Sequence, residues 1–222
     1  GDAPRTRKRF AVPAGWKTIV TAGRLETQKA PHLLVEAFRA VVKSHPETVL
    51  LVAGDGALRG LVEERIRQFG LNGNVRLLGF REDVPELLKM ADIFALSSLW
   101  EGMGRAMTEA MLLGKPVVVP RVNGIPEIVR DGETGLLYEP GRTDQLAACL
   151  LRLLEHPQQG EHLGANARRL TRRHFDLNHM VREIEAIYDQ LSLGAVPGSA
   201  CFTLPPNGNI TPLVVEEERL SA

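Results

Sequence analysis

An α/β fold, built on a doubly wound and mostly parallel six-stranded sheet, is predicted by three features of this sequence. Short apolar, β-branched runs alternate with longer amphipathic runs through most of the chain. Runs such as Val49-Leu50-Leu51-Val52-Ala53 are continuously apolar, as strands buried on both faces of a parallel sheet must be. Several of the runs close on glycine or on a Gly-x-Gly, which turns the chain into the following helix.

Taken in order, residues 1–16 hold Arg5, Arg7, Lys8 and Arg9 between Pro4 and Pro13 without an apolar period, and read as a solvated linker. Thr18-Ile19-Val20-Thr21-Ala22 is the first strand and Gly23-Arg24-Leu25 a turn. Pro31 then opens a helix carrying Leu34, Ala37, Phe38, Val41 and Val42. Proline suits the first helical position because its missing N–H would have no partner there, and His45-Pro46 ends the helix. Residues 49–53 form the second strand, closed by Gly54-Asp55-Gly56, and a helix over 57–69 leads to a third strand at 75–78, closed by Gly79. A short helix over 84–90 precedes a strand at 92–96. Helical composition resumes at Met103 or Gly104, followed by strands at 115–119 and 135–138 around a short helix at 126–129. Three helices follow, over 144–155, 158–173 and 177–191, with Thr143 and Asp176 as N-caps of the first and last. One domain is therefore expected over 17–192. Residues 193–222, rich in Gly, Pro, Asn and Ser, read as a loosely ordered tail.

A length of 222 residues at 44% hydrophobic supports one sizeable core rather than two full domains. Lys plus Arg and Asp plus Glu both number 27, so no net field favours nucleic acid or a charged membrane. Cys149 and Cys201 stand far apart, which argues against a disulfide scaffold and favours a reducing, cytoplasmic address. No run approaches the roughly eighteen apolar residues of a membrane span. Peripheral association with the inner face of a membrane is left open.

The densest chemistry lies at Glu101-Gly102-Met103-Gly104-Arg105, with Glu109 eight positions after Glu101. Gly102 and Gly104 let the backbone approach a ligand closely, and a helix starting beside them aims unpaired amides at an anion. The two carboxylates would flank that anion and accept hydrogen bonds from neutral hydroxyls. Hydroxyl, phosphate, hydroxyl is the layout of a sugar nucleotide. In an open parallel sheet, ligands collect at the carboxyl ends of the strands. Gly23-Arg24-Leu25, Gly54-Asp55-Gly56, Gly79-Phe80 and residues 97–104 all fall there, and Arg24 and Lys29 are placed to converge on a diphosphate. Taken singly, a solvated Arg or Lys, or an acid favouring its own helix N-terminus, is the commoner role. Their coincidence on one rim shifts the balance towards a binding role and leaves the commoner role open.

Other chemistries fit less well. Gly54-Asp55-Gly56-Ala57-Leu58-Arg59-Gly60 misses the dinucleotide fingerprint by one residue, and the phosphate-loop and Gly-x-Ser-x-Gly motifs are absent. The six histidines lack metal-ligand spacing and there is no Asp-x-Asp to hold a divalent ion, so no metal and no cofactor is expected. Eight positions of continuous helix rise about 12 Å, beyond the separation of a glycosidase carboxylate pair.

In combination, residues 17–190 resemble the C-terminal, donor-binding domain of a GT-B retaining glycosyltransferase of family 4, also called glycosyl transferases group 1. The resemblance is carried by Gly23-Arg24-Leu25 with Lys29, Gly54-Asp55-Gly56, Leu78-Gly79, the Glu-x7-Glu of Glu101 and Glu109, Gly114-Lys115-Pro116-Val117-Val118, Gly124-Ile125-Pro126-Glu127 and Asp131-Gly132 with Thr134-Gly135. It implies a Rossmann-like half of the GT-B fold. It also implies that Arg24 and Lys29 bind the diphosphate, that Glu101 holds donor-sugar hydroxyls and that Glu109 holds the ribose. Backbone at Leu78, Gly79 and Phe80 would meet the base, with Gly23, Gly102, Met103 and Gly104 completing the cradle. The implied reaction moves a sugar from a UDP-, GDP- or ADP-sugar to an acceptor hydroxyl of a glycan, lipid or small molecule, with Glu101, Arg24 and Lys29 as the catalytic groups. Acceptor binding belongs, in such enzymes, mainly to an N-terminal domain, so residues 1–16 would be the linker from a domain outside this sequence. This chain alone would then turn over little, and the helix from Leu177 would expose apolar surface.

The sequence departs from the family pattern at Met103, at Ala57, at Asn123, where a second glycine is common, and at Arg105, where an aliphatic residue is usual. Arg105 either adds charge near the phosphates or points to solvent. A non-catalytic nucleotide-sensing or assembly module is the alternative function, disfavoured by the intact Glu101, Glu109, Arg24 and Lys29. A GT-B-like epimerase or phosphorylase matches the motifs less well.

Overall fold

The computed structural model describes residues 3–192, in two compact units that divide between Thr171 and Arg172. In the first, strands β1 (Lys17–Ala22), β2 (Thr48–Ala53), β3 (Val75–Gly79), β4 (Ile93–Ala95), β5 (Val117–Pro120) and β6 (Leu136–Tyr138) form one sheet in the order β3-β2-β1-β4-β5-β6. Every ladder is parallel, with Ile19 opposite both Leu50 of β2 and Ile93 of β4. The expected doubly wound sheet is therefore present, and the order reverses between β1 and β4. Loops leaving those two strands turn to opposite sides, and the crevice between them is where such sheets bind ligands.

The helices are α1 (Ala3–Arg9), α2 (Pro31–Ser44), α3 (Arg59–Gln68), α4 (Val84–Met90), α5 (Arg105–Leu112), α6 (Ile125–Ile128), α7 (Thr143–Glu155), α8 (Pro157–His174) and α9 (Leu177–Ser192). All six residues of β2 are buried, with Leu50 and Val52 facing one apolar cluster and Val49, Leu51 and Ala53 the other. The first cluster takes Leu34, Phe38 and Val41 of α2, Val62 of α3 and Leu146 and Leu150 of α7. The second takes Leu87 and Leu88 of α4, Met107 and Met111 of α5 and Ile125 of α6. Two covered faces explain why the strand sequences are continuously apolar rather than alternating.

Two expectations change. Where a solvated arm was expected over 1–16, residues 3–16 form α1 and a packed turn, with Phe10 and Val12 buried in the second cluster. Its basic residues are occupied: Arg7 donates to Thr18 Oγ1 at 3.1 Å, and Arg9 lies 2.8 Å from Asp83. The guanidinium groups of Arg9 and Arg81 both stand over the Phe10 ring. An isolated seven-residue helix is unstable in water, so its apolar end and ion pairs hold it. In place of one body over 17–192, the chain divides after Thr171. In the second unit α9 is capped as expected, the His179 N–H donating to Asp176 Oδ1 at 2.9 Å. Leu177, Met180, Ile184 and Tyr188 are exposed along it. The tail expected over 193–222 lies outside the described residues.

Candidate functional site

Two loops meet at the crevice. The β1–α2 loop leaves Ala22 and is fixed by the end of β2 and the neighbouring β2–α3 loop: Gly23 N–H donates to Ala53 O, Leu25 N–H to Asp55 O, and Leu58 N–H to Leu25 O, all at 2.8 to 2.9 Å. Gly54 makes this approach feasible, since a Cβ there would fall 1.9 Å from Gly23 O, and its φ is +141°. Ala30 ends the loop in the left-handed region, φ 41° and ψ 51°, fully buried and next to Pro31. That conformation is uncommon for a residue with a Cβ, and it turns the chain so that Lys29 projects from the start of α2.

The β4–α5 loop brings in Ser97, Ser98 and Glu101, all buried. Lys29 Nζ donates to Glu101 Oε1, and Ser98 Oγ donates to the same oxygen at 2.7 Å. Ser97 Oγ donates to Lys29 O at 2.9 Å, Leu99 N–H to Gln28 O at 2.8 Å, and Gln28 Nε2 to Trp100 O at 3.1 Å. A narrow cleft between the loops is lined by Gly23, Arg24, Lys29, Ser97 and Ser98. Glu101 retains only 6% of its exposure, so its charge requires partners, and it has an ammonium and a hydroxyl. An ammonium carries three donors, and one of those of Lys29 is used on Glu101.

Gly104 stands at φ 70° as the N-cap residue of α5, which has no acid in its first turn and no side-chain cap. Its first amides are therefore available to an anion. Glu109 lies on α5, half-buried, and its carboxylate has no hydrogen bond or ion pair among the described residues. The helix starts at Arg105, so the separation of the two carboxylates is not the rise of a continuous helix. Arg24 is on the cleft lining, its side chain 72% exposed and 3.8 Å from Glu26. Leu78 and Gly79 close β3, where Gly54 N–H donates to Gly79 O at 2.7 Å, and Phe80 beyond them is 78% exposed. Gly102 and Met103 are exposed at the start of α5, and Arg105 is exposed on its first turn.

The structure thus brings Lys29 and Glu101 into contact, with Arg24 and Gly23 on the same cleft. It places Leu78, Gly79 and Phe80 beside Gly54 on the β2 side. Sequence reasoning missed Ser98 and the reach of Asn123, whose Oδ1 accepts from the Glu101 N–H at 3.3 Å. The doublet Ser97-Ser98 directly after an apolar strand was the available signal. Among the described residues, no group of three or more His, Cys, Asp or Glu side chains comes together as a metal site. None of their helices is long and apolar enough to cross a membrane.

Residues 2–170 match the family described as glycosyl transferases group 1. Alpha-D-kanosaminyltransferase of Streptomyces kanamyceticus is 28% identical over 177 residues, which cover 79% of this chain and 46% of that protein. The crystal structure of Anabaena Alr3699/HepE in complex with UDP-glucose is 30% identical, with a TM-score of 0.78, over 85% of this chain and 52% of that one. A solved C-terminal domain of the group 1 glycosyl transferase LpcC from Francisella tularensis shares the fold at 23% identity and a TM-score of 0.73, covering 79% of this chain and 94% of that one. The chain spans about half the length of the curated relatives it matches. Its sheet is the Rossmann-like half of a GT-B fold, and the protein belongs to the group 1 family of glycosyltransferases.

Proposed function

We propose that this chain binds the nucleoside diphosphate sugar of a retaining, metal-independent transfer to an acceptor hydroxyl on a glycan, lipid or small molecule. The observation that carries this reading is the contact of Lys29 with the buried Glu101 at the point where the strand order reverses, four residues before the start of α5, whose N-terminus has no side-chain cap. The UDP-glucose complex of the HepE structure supports a nucleotide-sugar donor. The family resemblance supports a cytoplasmic setting, with contact to the inner membrane face depending on the acceptor.

In this reading Arg24, Lys29 and the α5 amides receive the diphosphate, Glu101 the sugar hydroxyls and Glu109 the ribose. Backbone at Leu78, Gly79 and Phe80 meets the base. Breaking the anomeric C–O bond places negative charge on the departing diphosphate and positive charge on the sugar ring. Fixed donors aimed at the diphosphate therefore gain strength as the bond breaks, which is what lowers the barrier. The buried Glu101 carboxylate lies on the sugar side, where a developing positive charge is favoured. The departing phosphate takes the acceptor proton, so no base from this chain is required. Acceptor binding falls to the other half of a GT-B enzyme, and this chain by itself turns over little.

Calorimetric titration with UDP, GDP and ADP and their glucose or mannose esters tests the reading, the expected result being saturable binding of one nucleotide class. Glu109→Ala should weaken the diphosphate and its sugar ester alike, by about tenfold. Glu101→Ala should weaken the ester by a similar factor and the bare diphosphate much less. No heat and no thermal shift with any of the ligands would refute the donor site. Equal losses for both ligands in both variants would refute the division between Glu101 and Glu109.

A further inference from the structure

Asn123 stands out in the β5–α6 loop because it carries a side chain at a backbone angle that suits glycine. Its φ is 40°, in the left-handed region that residues with a Cβ rarely adopt. Asparagine tolerates that region better than most residues, but glycine would occupy it without penalty. What the side chain adds is one contact: Oδ1 accepts the hydrogen bond from the Glu101 N–H at 3.3 Å. The next residue presses on the same loop, since a Cβ on Gly124 would meet Gly102 O at 3.0 Å. Val122 and Ile125 on either side are buried, and the Ile125 N–H donates to Val122 O at 3.0 Å, so the turn that carries Asn123 is anchored in the core.

We infer that Asn123 is a positioning residue for the donor-sugar end of the site, holding the Glu101 peptide so that the carboxylate stays turned towards the sugar. The inference rests on the reading of Glu101 as the sugar-binding carboxylate. Lys29 and Ser98 hold the Glu101 side chain at Oε1, while Asn123 holds its backbone from the opposite neighbour, the β5–α6 loop. A carboxylate pinned at both its head and its peptide has little freedom to swing, and such restriction is how a site discriminates one hydroxyl arrangement from another. With Oδ1 committed to Glu101, the Asn123 Nδ2 has no protein partner among the described residues. The residue is exposed, so that amide is a donor available to an oxygen of the sugar.

Two substitutions separate the side chain from the backbone angle. Asn123→Gly keeps the left-handed turn and removes the acceptor, whereas Asn123→Asp keeps an acceptor at the same place. In the free chain, Asn123→Gly should speed hydrogen exchange at the Glu101 amide about tenfold, and Asn123→Asp should leave it slow. With whichever of UDP-glucose, GDP-mannose or ADP-glucose the unsubstituted chain binds best, Asn123→Gly should weaken the sugar ester about threefold to tenfold. The matching bare diphosphate should change less than about twofold. Unchanged exchange at Glu101 in Asn123→Gly, or equal losses for the ester and the diphosphate, would overturn the inference. If the unsubstituted chain binds none of the three pairs, the donor-site reading falls and the sugar-end role with it. The exchange measurement still decides separately whether Asn123 holds Glu101.

Discussion

The β1–α2 and β4–α5 loops meet at the same crevice but are held in different ways. The β1–α2 loop is fixed by main chain: three backbone hydrogen bonds tie it to the end of β2 and the β2–α3 loop, and Gly54 allows the two backbones to approach at a distance no side chain would permit. The β4–α5 loop is fixed largely by side chains, through Ser97, Ser98, Lys29 and Asn123. Given the glycine at 54, these main-chain contacts do not depend on which side chains the β1–α2 loop carries, so its backbone is part of the scaffold. Side-chain contacts depend on the residues making them, so the β4–α5 loop can be retuned without unfolding the sheet. Changes that disturb the main-chain contacts of the β1–α2 loop should therefore appear mainly as lost stability, and changes to the side chains that hold the β4–α5 loop should also appear as lost selectivity.

Gly54→Ala gives the largest expected effect and tests the scaffold half of the comparison. The added Cβ would overlap Gly23 O, which is main chain and cannot rotate away, at a φ that disfavours side chains. A loss of about 3 kcal/mol follows, or a thermal midpoint lowered by about 6 to 12 °C in a domain of this size. A midpoint within 2 °C of the parent would show that the two loops are not locked by their backbones.

Lys29→Met comes next, because Lys29 belongs to one loop and its partner to the other. The substitution leaves the Glu101 carboxylate, only 4% exposed, with Ser98 as its remaining side-chain partner. Breaking a fully buried pair typically costs 3 to 5 kcal/mol. Because the Lys29 side chain is 23% exposed, solvent screening reduces the expected loss to about 1 to 2 kcal/mol. Adding Glu101→Gln removes the stranded charge, so the double variant should be more stable than the sum of the two single losses by about 0.5 to 1 kcal/mol. Strict additivity in denaturant titrations would mean that the pair contributes no coupling.

The same contrast governs how much of the molecule was legible in its sequence. Continuous apolar strands and glycine-closed turns placed all six strands, because parallel sheets bury both faces and leave that composition behind. Arg24, Lys29 and Glu101 drew notice in the sequence because they follow predicted strand ends, and the structure sets Lys29 against Glu101 with Arg24 on the same cleft, whereas no contact joins Glu109 to them. Three features left no such trace. The α1 segment looked like a linker because a seven-residue helix has no room for an apolar period, and its burial depends on Phe10 meeting a cluster formed much later in the chain. The Lys29–Glu101 and Asn123–Glu101 contacts join positions 72 and 22 residues apart, a pairing that only the sheet order establishes. The division after Thr171 falls inside α8, which runs on to His174, so no turn residue marks it in the sequence.

The smallest expected effect belongs to Ser97→Ala, and it is the closest test of where scaffold ends and site begins. Ser97 is on the β4–α5 loop, yet its hydroxyl donates to the main-chain oxygen of Lys29 and is buried at 4% exposure. The substitution removes one hydrogen bond and leaves Lys29 O to find another donor, for a loss of about 1 kcal/mol, or about 2 to 4 °C in the thermal midpoint. The neighbouring bridges, Leu99 N–H to Gln28 O and Gln28 Nε2 to Trp100 O, do not involve Ser97, so the two loops should stay in register. If they do, affinity for the preferred nucleotide sugar changes by less than about threefold, and Ser97 groups with the scaffold. If affinity falls about tenfold or more while the midpoint stays unchanged, then Ser97 acts on the ligand through Lys29, and the boundary between the two loops lies on the β1 side of Lys29 rather than in the crevice.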